Sequence, residues 1–560
     1  MFTIAPIATP KDVFEIVKNC NCRHFYVYYD KFIYGNFSEI EEFILAAHSQ
    51  NCKIFVNFKH DITEEDIDKI RKFMLFLTYT KIDGIFINGF TVLEAVKNLD
   101  LTFEIIADSY FDIHNIEGIK FVNGFGKINK FVVTEEVYTE NLKVLKSATK
   151  MSLATDSDNL PWCSKDLKES KAVDAIVIKG KFAGTKELIN GIKMVEGILS
   201  DPKSYSQKRL PFKHLRNCYY QTNHFSGEII NSQGEDFKFS KYIKKYHWKT
   251  KLPQKAEIAF PKDEKLPRIN LRLSSLSQIN ELEKFIRKTK LNPVFSIEYG
   301  EIINTSDLAK NSMPVVMLKV SDFCKKYGIK LEYGTPRILI ERDFDRVFED
   351  AKNFCKNAKP DSVIINNIGF FNRFVKDEEL KDFPVEIGTG INLLNSLSIM
   401  CLNDIKHINS VDFTSFRDIS NIKKCIKRLG GLIENRKLTI AGNIRIPSLG
   451  LCPLNANLAS FSRLSCKAKC HEGTFAIEDP NLQKIYPFIP DGFCRMHMFK
   501  SELLDFCKFT KIFEEIGINE FVIDMSCLTE EYLPILLTEF INSLSDKTPA
   551  QLPILTEHLM

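Results

Sequence analysis

Four cysteines fall close together late in the chain: Cys452, Cys466, Cys470 and Cys494, within NIRIPSLGLCPLNANLASFSRLSCKAKCHEG and then DGFCRMHMF. Four thiolates brought to one point are what a tetrahedral zinc or an iron–sulfur cluster requires. The spacing is a Cys-x3-Cys pair with a third cysteine upstream, and no CxxC knuckle occurs anywhere. That pattern fits metal ligation and also fits structural thiols. The remaining cysteines, at 20, 22, 52, 163, 218, 324, 355, 401, 425, 507 and 527, are scattered among apolar runs and read as small buried hydrophobes. His471 and Glu472 follow Cys470 directly, and His497 follows Cys494 closely. They would stand beside a bound metal, either as catalytic groups or as donors that orient its ligands.

Other chemistries leave no comparable trace. The chain has no HExxH zinc-protease helix, no GxSxG elbow and no early cysteine followed by a convincing His and Asn order. Four cysteines on one zinc would close it to water, whereas a cluster held by four thiolates still exchanges electrons.

Composition sets the frame in which such a site must be held. Of 560 residues, 44% are apolar and 26% charged, ordinary values for a folded globular protein, and the length calls for more than one core. The N-terminal MFTIAPIATPKDVFEIV lacks the basic start, apolar run and cleavage site of a secretory signal, and no apolar stretch approaches the ~20 residues of a membrane span. A cytoplasmic setting is expected, where thiols stay reduced and available to metal. With 76 basic and 72 acidic residues the net charge is only +4. The exception is the segment from Lys203 to Lys255, where Lys, Arg and His interleave with Tyr and Phe. Such a pattern suits phosphates and stacked bases, and equally suits a small strand-rich insert with its own aromatic core.

The elements that would position the cysteines come in two series. FTIAPI, HFYVYY, KIFVNF, GIFIN, TFEIIAD, KFVVT, MSLAT and AIVIKG alternate with loops and amphipathic stretches such as DITEEDIDKIRKFMLFL and GTKELINGIKMVEGIL. Eight such units predict a (β/α)8 barrel. A second series reads INLRLS, PVFSIEYG, PVVMLK, ILIERD, SVIINN, VEIGTG, SVDFTS and LTIAGN, with a helix at DFDRVFEDAKNFCKNA. After the cysteines come a helix at SELLDFCKFTKIFEEIG, a strand at EFVIDMS and a last helix at TEEYLPILLTEFINSL. The expected fold is α/β, two tandem TIM-like barrels at 1–202 and 265–560 with an insert at 203–264. IDGIFINGFTVLEAVKNLDLTFEIIADSYFDIHNIEGI parallels PDSVIINNIGFFNRFVKDEELKDFPVEIGTGINLLNSLSI, which points to duplication. Active sites of this architecture lie at the C-terminal ends of the strands, and Asn392, Asn395 and Arg417 fall on loops expected there. An Asn in such a loop is alternatively a helix cap.

These residues carry a family resemblance. Both halves resemble the collagenase-like peptidases of unassigned catalytic type, family U32. The loop with Gly390, Asn392, Leu394 and Asn395, and its counterpart with Asp108, His114 and Asn115, are similar to the family's small-residue loop with a polar Asn. NKFVVTEEVYTENL, with Glu135 or Glu136, resembles the acidic turn that follows. Near Trp162 begins the segment that closes the barrel, where IKGKF places Lys179 at the family's acidic position. GNIRIPSLGLC with the close Cys-x3-Cys, followed by FAIEDPNLQKIYPFIPDGFCRMHMFKSELLDF, is similar to the family's cysteine region, although Cys494 stands where glycine is expected. Cys401, Cys425 and Cys507 are the other candidates for a fourth ligand.

The resemblance implies a choice between a peptidase and an oxygen-independent hydroxylase carrying an iron–sulfur cluster, [4Fe–4S] with zinc as the alternative, on Cys452, Cys466, Cys470 and Cys494. The substrate would be RNA or a small aromatic such as a quinone precursor, and an electron-donor protein a possible partner. The cysteine-free first half would then be a degenerate barrel, and a zinc-stabilised scaffold is the non-catalytic reading. Nothing in the sequence sets the oligomeric state.

Overall fold

In the computed structural model the described residues are all except 31–35, 59–61, 98, 127, 135–138, 157–171, 180, 181, 183, 201–227, 232–266, 417, 447–474, 480–483, 494 and 546–560. The first barrel runs β1 (Phe2–Pro6), α1 (Pro10–Asn19), β2 (His24–Tyr28), α2 (Glu39–Ser49), β3 (Lys53–Asn57), α3 (Ile67–Leu77), β4 (Gly84–Ile87), α4 (Phe90–Val96), β5 (Glu104–Ala107), α5 (Ile116–Asn123), β6 (Ile128–Val133), α6 (Thr139–Thr149), β7 (Ser152–Asp156), β8 (Ala175–Val177) and α7 (Thr185–Ser200). All eight strands are parallel, and β1 pairs with both β2 and β8, which closes the ring. The eight expected strands of this half are the eight observed. Their inward positions are apolar: Ile4, Tyr26, Phe55, Phe86, Ile106, Val132, Ala154 and Val177 fill the barrel as one buried cluster, the packed interior this architecture requires.

Between the barrels one strand is described, β9 (Glu228–Asn231). The second barrel follows with β10 (Arg268–Arg272), α8 (Leu276–Thr289), β11 (Val294–Tyr299), α9 (Thr305–Lys310), α10 (Met313–Tyr327), β12 (Lys330–Gly334), α11 (Glu341–Ala358), β13 (Ser362–Ile365), α12 (Ile368–Phe374), β14 (Val385–Ile387), α13 (Ser396–Asn403), β15 (Ile408–Asp412), α14 (Ile419–Leu429) and β16 (Asn435–Arg445). After the cysteine run come β17 (Phe475–Asp479), β18 (Lys484–Pro490), β19 (Met496–Asp505), α15 (Thr510–Glu515), β20 (Glu520–Asp524) and α16 (Leu533–Ser545). β20 slots in parallel between β10 and β16, and β15 pairs with β16, so eight parallel strands again close a barrel. Off its rim, β16, β19, β18, β17 and β9 form an antiparallel extension.

Three expectations in this half are corrected. PVVMLK lies in α10, not a strand: Ser312 precedes the helix, Pro314 occupies its first turn, and Val316, Met317, Val320 and Cys324 bury one face at helical spacing. ILIERD is a buried loop, Ile338–Ile340, leading into α11. The third strand is instead KLEYG, β12. SELLDFCKFTKIFEEIG is strand to Asp505 and helix only over Thr510–Glu515.

The duplicated segments form the contact between the barrels. α5 packs on α12, and α4 on α13, so each half presents the same two helices to the other across a pseudo-two-fold axis. Hydrogen bonds repeat the symmetry. Asn115 Oδ1 caps α5 through Gly118 N while its Nδ2 donates to Leu339 O at 2.7 Å. Asn395 Oδ1 caps α13 through Ser398 N while its Nδ2 donates to Ile62 O at 2.8 Å. Glu341 accepts from Ile116 N at 2.7 Å, and Glu64 accepts from Ser396 N. Each barrel's glutamate thus satisfies the first-turn N–H of the other barrel's helix, where a negative charge also meets the helix dipole favourably.

Candidate functional site

The mouth of the first barrel is built from the ends of four strands. Asp108 follows β5, with Oδ1 accepting from Ser109 N at 2.7 Å and Oδ2 from Asn57 Nδ2 at 3.3 Å. Lys179, two residues past β8, places Nζ 2.9 Å from Asp108 Oδ1 and 3.1 Å from Asp156 Oδ2 at the end of β7, and donates to Ser109 Oγ. All are buried. The sequence departure at Lys179 is therefore compensated, since the ammonium neutralises one of two carboxylates. The remaining negative charge is reflected at Asp156, which burial pushes up to about 6 against the pull of Lys179, with Asp108 pushing it further up. Its Oδ1 is buried and has no hydrogen-bond partner among the described residues.

The second barrel differs from the first in that charge occupies its interior. Lys437, near the start of β16, meets Glu332 of β12 at 2.6 Å and also pairs with Glu386 of β14, while Glu520 of β20 stands 3.9 Å away. Glu332 is pushed up to about 8 by burial and by Glu386, with Lys437 opposing. Nearer the mouth, Arg272 at the end of β10 divides its guanidinium among three carboxylates: Nε to Glu298 at 2.8 Å, Nη2 to Asp412 at 3.0 Å and Nη1 to Asp524 at 3.1 Å. These three anions outweigh burial and raise the pKa of Arg272 well above its ordinary value.

Above Arg272 lies a second group. Arg445 at the end of β16 pairs with Glu301, and Arg337 donates to Thr389 Oγ1 at 2.7 Å. Burial pushes Glu301 upward, but Arg445, Arg337, His497 and Arg272 together pull it down to about 2. Arg337 is lowered to about 10 by burial and by Arg445. Arg337 Nε, Arg445 Nη2 and both amide atoms of Asn443 are buried without hydrogen-bond partners among the described residues. Unmade bonds at such atoms cost about 1–3 kcal/mol each, so they mark the polar surface that a ligand would complete. The strand that carries Asn443 and Arg445 passes hard against β20: Gly442 has φ +103°, and a Cβ there would lie 1.9 Å from Asp524 O. Ile302, Phe499 and Cys527, with Ile489, seal the antiparallel extension onto this rim.

The residues expected to do chemistry separate in the structure. Cys452, Cys466, Cys470, Cys494, His471, Glu472 and Arg417 lie outside the described residues, as do Glu135, Glu136 and Trp162. The run is nevertheless framed: Ile446 N donates to Met498 O at 2.9 Å, so the chain entering it from β16 and the strand β19 are hydrogen-bonded neighbours. His497 is buried with Nε2 3.2 Å from Asp491 Oδ2. Asn395 lies in the contact between barrels, fully engaged as a cap and with Ile62 and Thr91. Asn392 lines a small cavity at the same contact with Asp112 of the first half, its room about that of one water. Cys401 and Cys425 are buried on α13 and α14, and Cys507 follows β19. Burial pushes Cys401 up to about 12 and raises the other two further, so in the absence of a metal all three are thiols. Among the described residues no group of three or more His, Cys, Asp and Glu is arranged to hold a metal ion. The Arg272, Arg337, Arg445 and Asn443 group went unread in the sequence; its only trace was charge at inward positions of strands.

Together the fold and these mouths define a tandem TIM-barrel protein with polar sites at strand C-termini. Residues 12–155, spanning most of the first barrel, match the model of peptidase family U32. No curated protein matches it in sequence. Solved structures similar to parts of it include a U32 peptidase (8% identity, 32% of this chain and 93% of the other, TM-score 0.26). Others are orotidine 5'-phosphate decarboxylase from Lactobacillus acidophilus (12%, 35% and 98%, 0.24) and the Bacillus cereus spore cortex-lytic enzyme SleL (10%, 49% and 75%, 0.26). No described helix is long and apolar enough to cross a membrane.

Proposed function

We propose that this chain is an iron–sulfur-dependent, oxygen-independent hydroxylase acting on RNA or a small aromatic quinone precursor, with the cluster on Cys452, Cys466, Cys470 and Cys494. When bound, the cluster would supply electron transfer; the chain's own residues hold the substrate. The observation that carries the reading is the antiparallel extension. β9 of the basic, aromatic insert pairs with β17, β18 joins β17 to β19, and β19 pairs with β16, whose end bears Asn443 and Arg445. One sheet therefore links the insert, both flanks of the cysteine run and the charged mouth of the second barrel. A substrate held there by the unpartnered donors of Arg337, Arg445 and Asn443 would lie beside the strands that deliver the cysteines.

A peptidase is the second reading, favoured by the contact between Ser109 Oγ and Lys179 Nζ in the barrel that matches the family model. A serine–lysine nucleophile needs a neutral lysine to take its proton. Here Asp108 and Asp156 flank Lys179 and favour its charged, donating form, so the geometry favours a structural ion pair.

The test is an absorption spectrum with iron, sulfide and zinc analysis on protein purified without oxygen, beside Cys466→Ala and Cys470→Ala. The expected outcome is about four irons per chain, lost in both variants. One zinc and no iron would overturn the redox reading in favour of the scaffold. Hydrolysis of a denatured collagen-like substrate that disappears in Ser109→Ala would establish the peptidase.

A further inference from the structure

On the outer wall of the second barrel, away from both mouths, α10 and α11 diverge around a cavity of about 110 Å³. Its lining is mostly apolar, from Met313, Met317 and Leu318 of α10 and Phe354 of α11, with Asp350 at its edge and Tyr333 of β12 within. Asn353 and Asn357 of α11 also line it, and the space is of the order that takes a single aromatic ring. The thioethers of two methionines, one turn apart on α10, give it walls that adjust to such a ring. Tyr333 is only 1% exposed, and its hydroxyl forms no hydrogen bond among the described residues. Burial, then nearby Cys355 and Asp350, raise its pKa, which keeps the phenol protonated and a donor. A hydroxyl at the cavity with no acceptor among the described residues is free to donate to a ligand oxygen.

We infer that this cavity is a binding site for a small, uncharged aromatic molecule bearing one oxygen, its ring among Met313, Met317 and Phe354 and its oxygen accepting from Tyr333. Anionic aromatics are excluded by a lining that is mostly apolar and whose one charged group, Asp350, is itself an anion. The site is distinct from the strand ends and independent of the hydroxylase reading. It would serve as a regulatory or docking site for an aromatic metabolite rather than as a place of reaction.

Saturation-transfer NMR on the full chain with benzyl alcohol and with toluene tests the assignment. Benzyl alcohol is expected to bind with Kd about 1 mM or tighter and toluene several-fold more weakly. Leu318→Trp fills the edge from a position already 41% exposed, so the fold should tolerate it while benzyl alcohol binding weakens by about tenfold. Tyr333→Phe should abolish the preference for benzyl alcohol over toluene while leaving toluene binding in place. Absence of saturation transfer at about 10 mM ligand, equal binding to Leu318→Trp with an unchanged melting temperature, or an alcohol preference that survives Tyr333→Phe would each overturn the site.

Discussion

Lys437 sets the energetics of the second barrel's interior. It is the cation shared by Glu332 and Glu386, with Glu520 close by, all of them buried. Removing one member of a buried ionic group strands the others, at about 3–5 kcal/mol. Lys437→Met is therefore expected to lower stability by that order in urea unfolding at pH 7, with partial recovery at pH 5 as the carboxylates take up protons. The same interior makes stability depend on pH. Glu332 is raised from 4.5 to about 8 and Asp156 from 3.8 to about 6. A raised carboxyl holds its proton more tightly in the folded state, so its contribution is complete below the unfolded pKa and is lost as pH rises through the folded one. These two groups should make stability fall between about pH 4 and 8. In urea midpoints, Glu332→Gln should flatten the part of that slope between about 4.5 and 8, and Asp156→Asn the part between about 4 and 6; an unchanged slope would refute both assignments. At this scale the sequence was a partial guide. Asn395 stood out because it opens a helix after a strand, and that position is also what makes it a cap and a bridge to the other barrel. Asn443, Arg337 and Arg445 were hidden because their meaning depends on which way a strand residue points and on what fails to meet it.

Elements were more legible where burial is apolar on both sides. Each strand of the first barrel is a short hydrophobic run, filling the interior on one side and meeting helices on the other. In the second barrel the inward side is polar, so KLEYG, with Glu332 turned inside, did not read as a strand, while PVVMLK imitated one. Helix caps decide the contact between barrels. Asn395→Ala removes a cap worth about 1 kcal/mol and leaves Ile62 O without its donor, for a total of about 2–4 kcal/mol. Asn115→Ala, at the equivalent place, should cost a similar amount in urea unfolding; a cost below about 0.5 kcal/mol in either would deny the two-fold equivalence. Gly369→Ala would set a methyl 1.9 Å from Asn115 Oδ1 and 2.8 Å from Gly118 N, so it should destabilise by about 1–3 kcal/mol and lower the melting temperature.

Over the whole molecule, family signal and expected chemistry fall on different halves. The U32 match covers most of the first barrel, whereas the cysteines follow the seventh strand of the second in sequence. The two barrels are joined by reciprocal contacts from Glu64 and Glu341, so the chain should unfold in one calorimetric transition. Glu64→Ala with Glu341→Ala should split it into two, and a single unbroken peak in that double variant would show that the apolar helix faces suffice alone. The pseudo-two-fold axis has one more consequence. Because each barrel offers the other a self-matching surface, the first barrel of one molecule fits the second barrel of a neighbour as well as it fits its own. Only residues 201–267 between α7 and β10 favour the internal pairing, by holding the partner at an effective concentration on the order of millimolar. Well below that concentration the molecule closes on itself; as protein concentration approaches it, barrel exchange between chains becomes competitive and produces interlocked dimers that disperse on dilution.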